Sequence, residues 1–434
     1  MLIKMKPQNA VLSWVAAILL LAGALFMLPH GKLHDFGTVP WFLAGAAIML
    51  VGFFGALRFP PQSAALFWAV AGAVRLILLF QTPGDDIYRY VWEGRMLAAG
   101  WNPYLHAPDA ATLESFRDTL WSSVQHRSFT AIYPPLAQWM MASLAAVWAA
   151  PIFFTLVFTL ADLAVIGLLV RKFALTPALI YAWNPLVIYS FAGGGHYDSV
   201  FILAMVLGWL AWDHGKPTRA AGWLGVAVAL KWMALPLLAW VIWQVFQRGW
   251  ERRQWRSVAQ AAGLAFAPLL LSYLALSLWT KEWTLQLYPA DFSRFARSAE
   301  LIPGMVGWFW EQSRFHNQWF ALPLAVGWSV LILRGKELAP TAEWMFFLAL
   351  VLTPMLHAWY FTWMIPFAVQ TRNRGTLAVS ASAFVYFLLY HHIEAPGGAW
   401  RLQPWETALL WLPLVVGFLF SSWQRQRRSL ESTS

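Results

Sequence analysis

The sequence predicts an all-α, polytopic membrane protein, with about 13–15 membrane helices by the length that a bilayer core demands. Three observations carry this. The 434 residues are 60% hydrophobic and 17% aromatic, well above the roughly 45–50% apolar content of soluble domains. Apolar runs, many of them about 16–21 residues long, recur from end to end, and a core of about 30 Å takes about 20 apolar residues per helix. Lys and Arg gather in the short segments between those runs, as the positive-inside rule requires. Backbone groups in lipid must be satisfied internally, so the runs are helices and not isolated strands. No sizeable soluble domain is left over, and residues 1–434 form one transmembrane unit.

The elements follow in order. With Lys4 and Lys6 in the cytoplasm, helices are expected at about 10–28, 39–57 and 63–81. The first is an anchor, because no small-residue cleavage site follows it. Residues 82–133 then emerge outside as the first long polar segment. Pro83-Gly84 signals a turn, and Ile87, Tyr90, Val91, Gly94, Leu97 and Ala98 share one helical face. That pattern predicts an amphipathic helix at the interface, its face toward lipid headgroups. Segment 134–150 has to begin and end outside, as a short re-entrant helix, when 152–170 runs inward to Arg171 and Lys172. Segment 219–247 has Lys231 at its centre and Pro236 after it, and is expected as two short helices meeting near Lys231. The remaining helices are expected at about 259–279, 318–334, 341–356, 358–370, 376–392 and 406–423. They leave a second outer loop at 280–317 and another at 391–405. Both termini are then cytoplasmic in a plasma (inner) membrane, with more than half of the 30 Lys and Arg inside and most acids outside.

The net charge of +10 follows from this topology, so no nucleic-acid partner is expected; membrane lipids are. There is no Cys, which excludes disulfides and thiol chemistry.

Only 12% of the chain is charged, yet TPGDDIYRYVWEG (82–94) holds Asp85, Asp86, Arg89 and Glu93. One acid is accounted for by a helix N-cap; the cluster is not. Arg75, one to two turns below in the preceding helix, is a candidate partner for the acids. Trp101-Asn102-Pro103-Tyr104 and Tyr133-Pro134-Pro135 are rigid turns with interfacial aromatics, or substrate contacts. Trp183-Asn184-Pro185 precedes Gly193-Gly194-Gly195, where glycines let a backbone approach a ligand. His196 and Asp198 follow, as a polar helix cap or as site residues. Lys231 among apolar residues is costly and is a functional candidate, with snorkelling to an interface as the alternative. His357, in TPMLHAWYFTW, lies at another outer turn. Acids and bases from separate segments thus converge on one face, which is how a reaction site is assembled.

At these residues the chain resembles the GT-C glycosyltransferases, and is most similar to the bacterial and GPI-type mannosyltransferases that use a polyprenyl-phosphate sugar. The resemblance rests on Asp85-Asp86, Arg89-Tyr90, Glu93-Gly94, Gly100-Trp-Asn-Pro-Tyr104, Tyr133-Pro-Pro135, Asn184-Pro185, Gly195-His196-Tyr-Asp198, Lys231 and His357-Ala-Trp-Tyr360, over roughly residues 75–370. The family often has Asp-x-Asp where the acids here are adjacent, and two extra helices precede the acidic loop. The resemblance implies an inverting transfer of a sugar, with mannose favoured by resemblance alone, from polyprenyl phosphate to a hydroxyl of a glycan or glycolipid acceptor on the outer face. Asp86 is implied as general base, with Asp85 positioning or substituting for it. Lys231, His357, Arg89 and His196 are implied for the leaving phosphate, and Asp198, Glu93 and Tyr133 for substrate. No cofactor or metal is implied; a divalent cation held by the two acids is the alternative. A lipid-linked glycan flippase and a diphosphate-donor glycan ligase are the rival functions. The ligase would lean on Arg294, Arg297, Arg314 and His316 of the second outer loop.

Overall fold

The computed structural model describes residues 7–285 and 294–431. Lys4 and Lys6, and part of the 280–317 loop, lie outside the described residues. The fold is all-α. Among the described residues the one β feature is an isolated bridge between Ser298 and Met355. Among the described residues, six helices are long and apolar enough to cross a membrane: Gln8–His30, Thr38–Arg58, Pro151–Phe173, Trp255–Thr280, Arg374–Glu394 and Pro404–Arg428. Ala64–Leu78 and Leu338–Leu352 are shorter apolar helices. The protein is therefore a multi-pass membrane protein.

Other expected spans are assembled from pieces. Segment 219–247 breaks where expected, into helices Pro217–Leu230 and Leu235–Arg252, with Lys231 extended at φ −154°, ψ 125°. The 358–370 span is a short 3-10 helix Ala358–Trp363 followed by Ile365–Thr371. Helix Pro135–Trp148 has 14 residues, about 21 Å at 1.5 Å per residue. That is too short to cross a core of about 30 Å alone.

Two expectations need correction. Helix Asp86–Ala98 forms, but it does not lie with one face toward lipid headgroups. Ile87, Arg89, Tyr90, Val91, Trp92, Glu93, Gly94, Met96 and Leu97 are all buried. It packs so closely on helix Pro135–Trp148 that a Cβ on Gly94 would sit 2.4 Å from the Met141 carbonyl oxygen, so the contact needs glycine. Loop 101–131 covers the rest: Trp92, Leu113 and Val124 share one apolar cluster. The hydrophobic period is thus met by protein.

The second concerns Arg75, which does not pair with Asp85 or Asp86. Its Nε donates to Asp162 Oδ2 at 2.5 Å and its Nη1 to the carbonyls of Ala71 and Ala182. A guanidinium inside apolar helices takes the nearest carboxylate at its own depth, and that belongs to helix Pro151–Phe173.

Candidate active site

The acidic turn is sewn to the triple glycine by Gly84 N–H, which donates to the Gly194 carbonyl at 3.0 Å. Gly195 turns at φ +70°, and a Cβ there would lie 2.9 Å from Thr155 Oγ1, so this turn also needs glycine. It delivers His196 under Asp86, with Nδ1 3.5 Å from Oδ2. Tyr90 O–H donates to the same oxygen at 3.3 Å. The His196 ring stacks on Trp359 at 3.6 Å, and His357 stacks on Trp359 at 4.4 Å. His357 Nδ1 lies 2.6 Å from the Tyr386 hydroxyl.

The surroundings set the charge states. Burial alone would raise the Asp86 carboxyl, but the hydrogen bond and charge of His196, with His357 and Lys231 nearby, hold it down at about 2. Burial lowers His357 to about 4, so its imidazole is neutral at pH 7. Asp85 turns the other way. Its Oδ2 is 2.9 Å from His34 Nε2, and His34 Nδ1 is 3.1 Å from Glu394. The Asp85 hydrogen bond, against burial and with help from Glu394, raises His34 to about 9. Asp85 stands at the N-cap position without a side-chain cap hydrogen bond, so the N-cap alternative does not account for it. The adjacent acids therefore face different partners. Among the described residues no three or more His, Cys, Asp or Glu gather as metal ligands would.

Lys231 occupies the break between its two helices. Its Nζ donates to Asp198 Oδ1 at 2.7 Å, and that oxygen also accepts from Trp363 Nε1 at 2.6 Å. The rings of Tyr197, Tyr360 and Trp363 surround the ammonium at 5.2, 5.1 and 5.1 Å, within cation–π range. Asp198 is thus the partner of Lys231 and does not touch Asp86.

Two cavities meet here. The first, about 400 Å³, is lined by Asp86, Arg89, Tyr133, Lys231 and His357, with Met233 and Leu350 on an apolar side. The second, about 530 Å³, is lined by His34, Asp85, Asp86, His196 and His357. Asp86, His357 and Trp359 stand in the wall that both share. Asp86 keeps 36% of its side chain exposed, so its carboxylate is open to what enters.

Of the residues singled out in the sequence, Asp85, Asp86, His196, Lys231, His357 and Tyr133 line these cavities. Arg89 does too, but not as a free cation. Its Nε donates to Glu93, and its Nη atoms donate to the carbonyls of Gln125, His126, Phe129 and Thr130. All five donors are used, so Arg89 clasps the 125–130 loop and has none left for a phosphate. Glu93 is buried between Arg89 and Gln138 and lines neither cavity. Sequence reasoning missed His34 and Tyr386, and it gave Trp359 and Tyr197 no role of their own within the motifs that hold them. His34 carried a usable signal, a histidine in a short polar turn between two apolar runs. Tyr386 carried none, since an aromatic in an apolar stretch is the norm here.

Comparison with known proteins adds two findings. The model of the family described as Alpha-(1->6)-mannopyranosyltransferase, N-terminal domain, matches residues 20–247. That is more than half of the chain, and it includes the acidic turn, His196, Asp198 and Lys231 but not His357. Alpha-(1->6)-mannopyranosyltransferase A of Corynebacterium glutamicum is 28% identical over 184 residues, covering 38% of this chain and 36% of the relative. The alignment thus spans little more than a third of that relative's length.

Proposed function

The chain belongs to the alpha-(1->6)-mannopyranosyltransferase family, and we propose that it is an inverting mannosyltransferase drawing on a polyprenyl-phosphate donor at the outer face of the membrane. One observation carries the proposal: a single open carboxylate, Asp86, stands in the wall between two cavities. The donor occupies the first, its phosphate at Lys231 and its chain toward Met233 and Leu350. The acceptor, a glycan or glycolipid, presents its hydroxyl from the second.

The acceptor oxygen attacks the anomeric carbon, and the bond from that carbon to the phosphate oxygen breaks on the far side. The hydroxyl proton passes to Asp86. The electron pair leaves with the phosphate, met by Lys231 and by the His357 N–H. When the Tyr386 hydroxyl donates to Nδ1 of the neutral imidazole, Nε2 carries that hydrogen. A carboxylate held near 2 is a weak base but is ionised at every physiological pH. It suffices because the transition state has oxocarbenium character and the attacking hydroxyl becomes strongly acidic as its bond forms. An alpha product by inversion requires a beta-linked donor phosphate. Asp85, turned to His34, positions the loop and takes no proton.

Purified protein supplied with radiolabelled polyprenyl-phosphate-mannose and native membrane acceptors tests this. Transfer that is kept by Asp85→Asn and lost in a folded Lys231→Met supports it. Equal transfer by wild type and Lys231→Met removes the donor assignment.

A further inference from the structure

A third cavity, of about 360 Å³, opens beside the second, and Arg297 and Trp400 line both. Its other cationic walls are Arg314 and Arg401, and its one acid is Glu300. Arg297 is held in place by Asn317, by the carbonyls of Pro303 and Ser313, and by Glu300 at 3.7 Å. Glu300 is thereby committed to Arg297. Arg314 and Arg401 meet no carboxylate within ion-pair distance among the described residues. Arg314 lies over Gly307, where a Cβ would come within 3.1 Å of its Nε.

The floor has the opposite character. Thr407 and Leu412 line it, and both belong to the apolar span Pro404–Arg428. The cavity therefore runs from two guanidinium groups that have no carboxylate partner among the described residues down into the side of a membrane helix. The charge bias that orients membrane helices places basic residues at the other end of the bundle, so topology does not explain these two. Guanidinium forks match phosphate oxygens, and a ligand that satisfies both ends is an amphiphile with an anionic phosphate head.

We infer that this cavity binds the phosphate of an anionic lipid, seated by Arg314 and Arg401 with its first methylenes against Thr407 and Leu412. The lipid is either a membrane phospholipid or the anchor of a lipid-linked acceptor; the second source rests on the proposed function, because it takes the adjoining cavity as the acceptor side.

Native mass spectrometry of the full-length protein, without donor, separates the cases. Wild type should retain phosphatidylglycerol over phosphatidylcholine by on the order of tenfold, as expected for charge-assisted hydrogen bonds. The paired replacement Arg314→Gln/Arg401→Gln should lose that preference, and Thr407→Trp, which fills the cavity without altering charge, should lose retention of both lipids. Unchanged phosphatidylglycerol retention in both variants, or no preference in wild type, overturns the inference. Competition by phosphatidylglycerol against native acceptors in the transfer assay assigns the site to the acceptor's phosphate. Binding without competition assigns it to membrane lipid, and either supports the site. Lipid binding is read without transfer, so an inactive protein that still prefers phosphatidylglycerol counts against the proposed function and not against this site.

Discussion

Arg75 with Asp162 and Lys231 with Asp198 are both ion pairs held among apolar helices, and they differ in what else each cation meets. Arg75 and Asp162 are 1% and 0% exposed, and the guanidinium also donates to two carbonyls. Lys231 is 14% exposed against 0% for Asp198, and its open side faces the first cavity. Its other neighbours are ring faces, which attract a cation without taking a hydrogen from it. A buried cation enclosed by protein groups serves the fold. One left with unused donors toward a cavity is placed for an anion.

Replacement of each cation should show what else each one does. Lys231→Met should lower kcat/KM by on the order of 10²–10³, the scale of losing one donor to a developing anion, and should also lower Tm, because it leaves the buried Asp198 carboxylate without its cation. Arg75→Met leaves a carboxylate buried alone and should cost about 3–5 kcal/mol of stability, visible as a large fall in Tm in detergent. Restoring the balance of charge sharpens the contrast. Arg75→Met/Asp162→Leu should recover most of the lost stability, because apolar replacement of a whole buried pair is often close to neutral. Lys231→Met/Asp198→Leu should recover no transfer.

The smallest effect concerns His34. Its folded value is raised from 6.5 to about 9, so its tie to Asp85 and Glu394 is complete below about 6.5 and fades as pH rises through about 9. The difference in Tm between wild type and His34→Gln should be greatest near pH 6 and vanish above pH 9. The imidazole is half-exposed, so the difference should be modest. A gap that widened with pH would contradict the assigned ion pair.

These differences also show what was legible in the sequence. Apolar runs of bilayer length set the fold class, and the costly Lys231 followed by Pro236 marked the break that the structure has. The acids, His196 and His357 stood out because charged and titratable side chains are scarce in this chain, of which only 12% is charged. Pairing did not stand out. Asp162 lies 87 positions from Arg75, and no local pattern joins them. Arg89 looked like a phosphate ligand because the carbonyls that consume its donors come from a loop 36–41 residues away. The periodic face of helix Asp86–Ala98 was legible, but period says only that a face is buried, not whether lipid or protein buries it.

The central claim is that Asp86, and not its neighbour, takes the proton. Transfer from radiolabelled polyprenyl-phosphate-mannose by folded Asp86→Asn and Asp85→Asn, measured against wild type, tests it most directly. The account predicts a loss on the order of 10²–10⁴ for Asp86→Asn, the range for a positioned general base, and less than about tenfold for Asp85→Asn. Comparable transfer by Asp86→Asn and wild type, or the larger loss in Asp85→Asn, would contradict it.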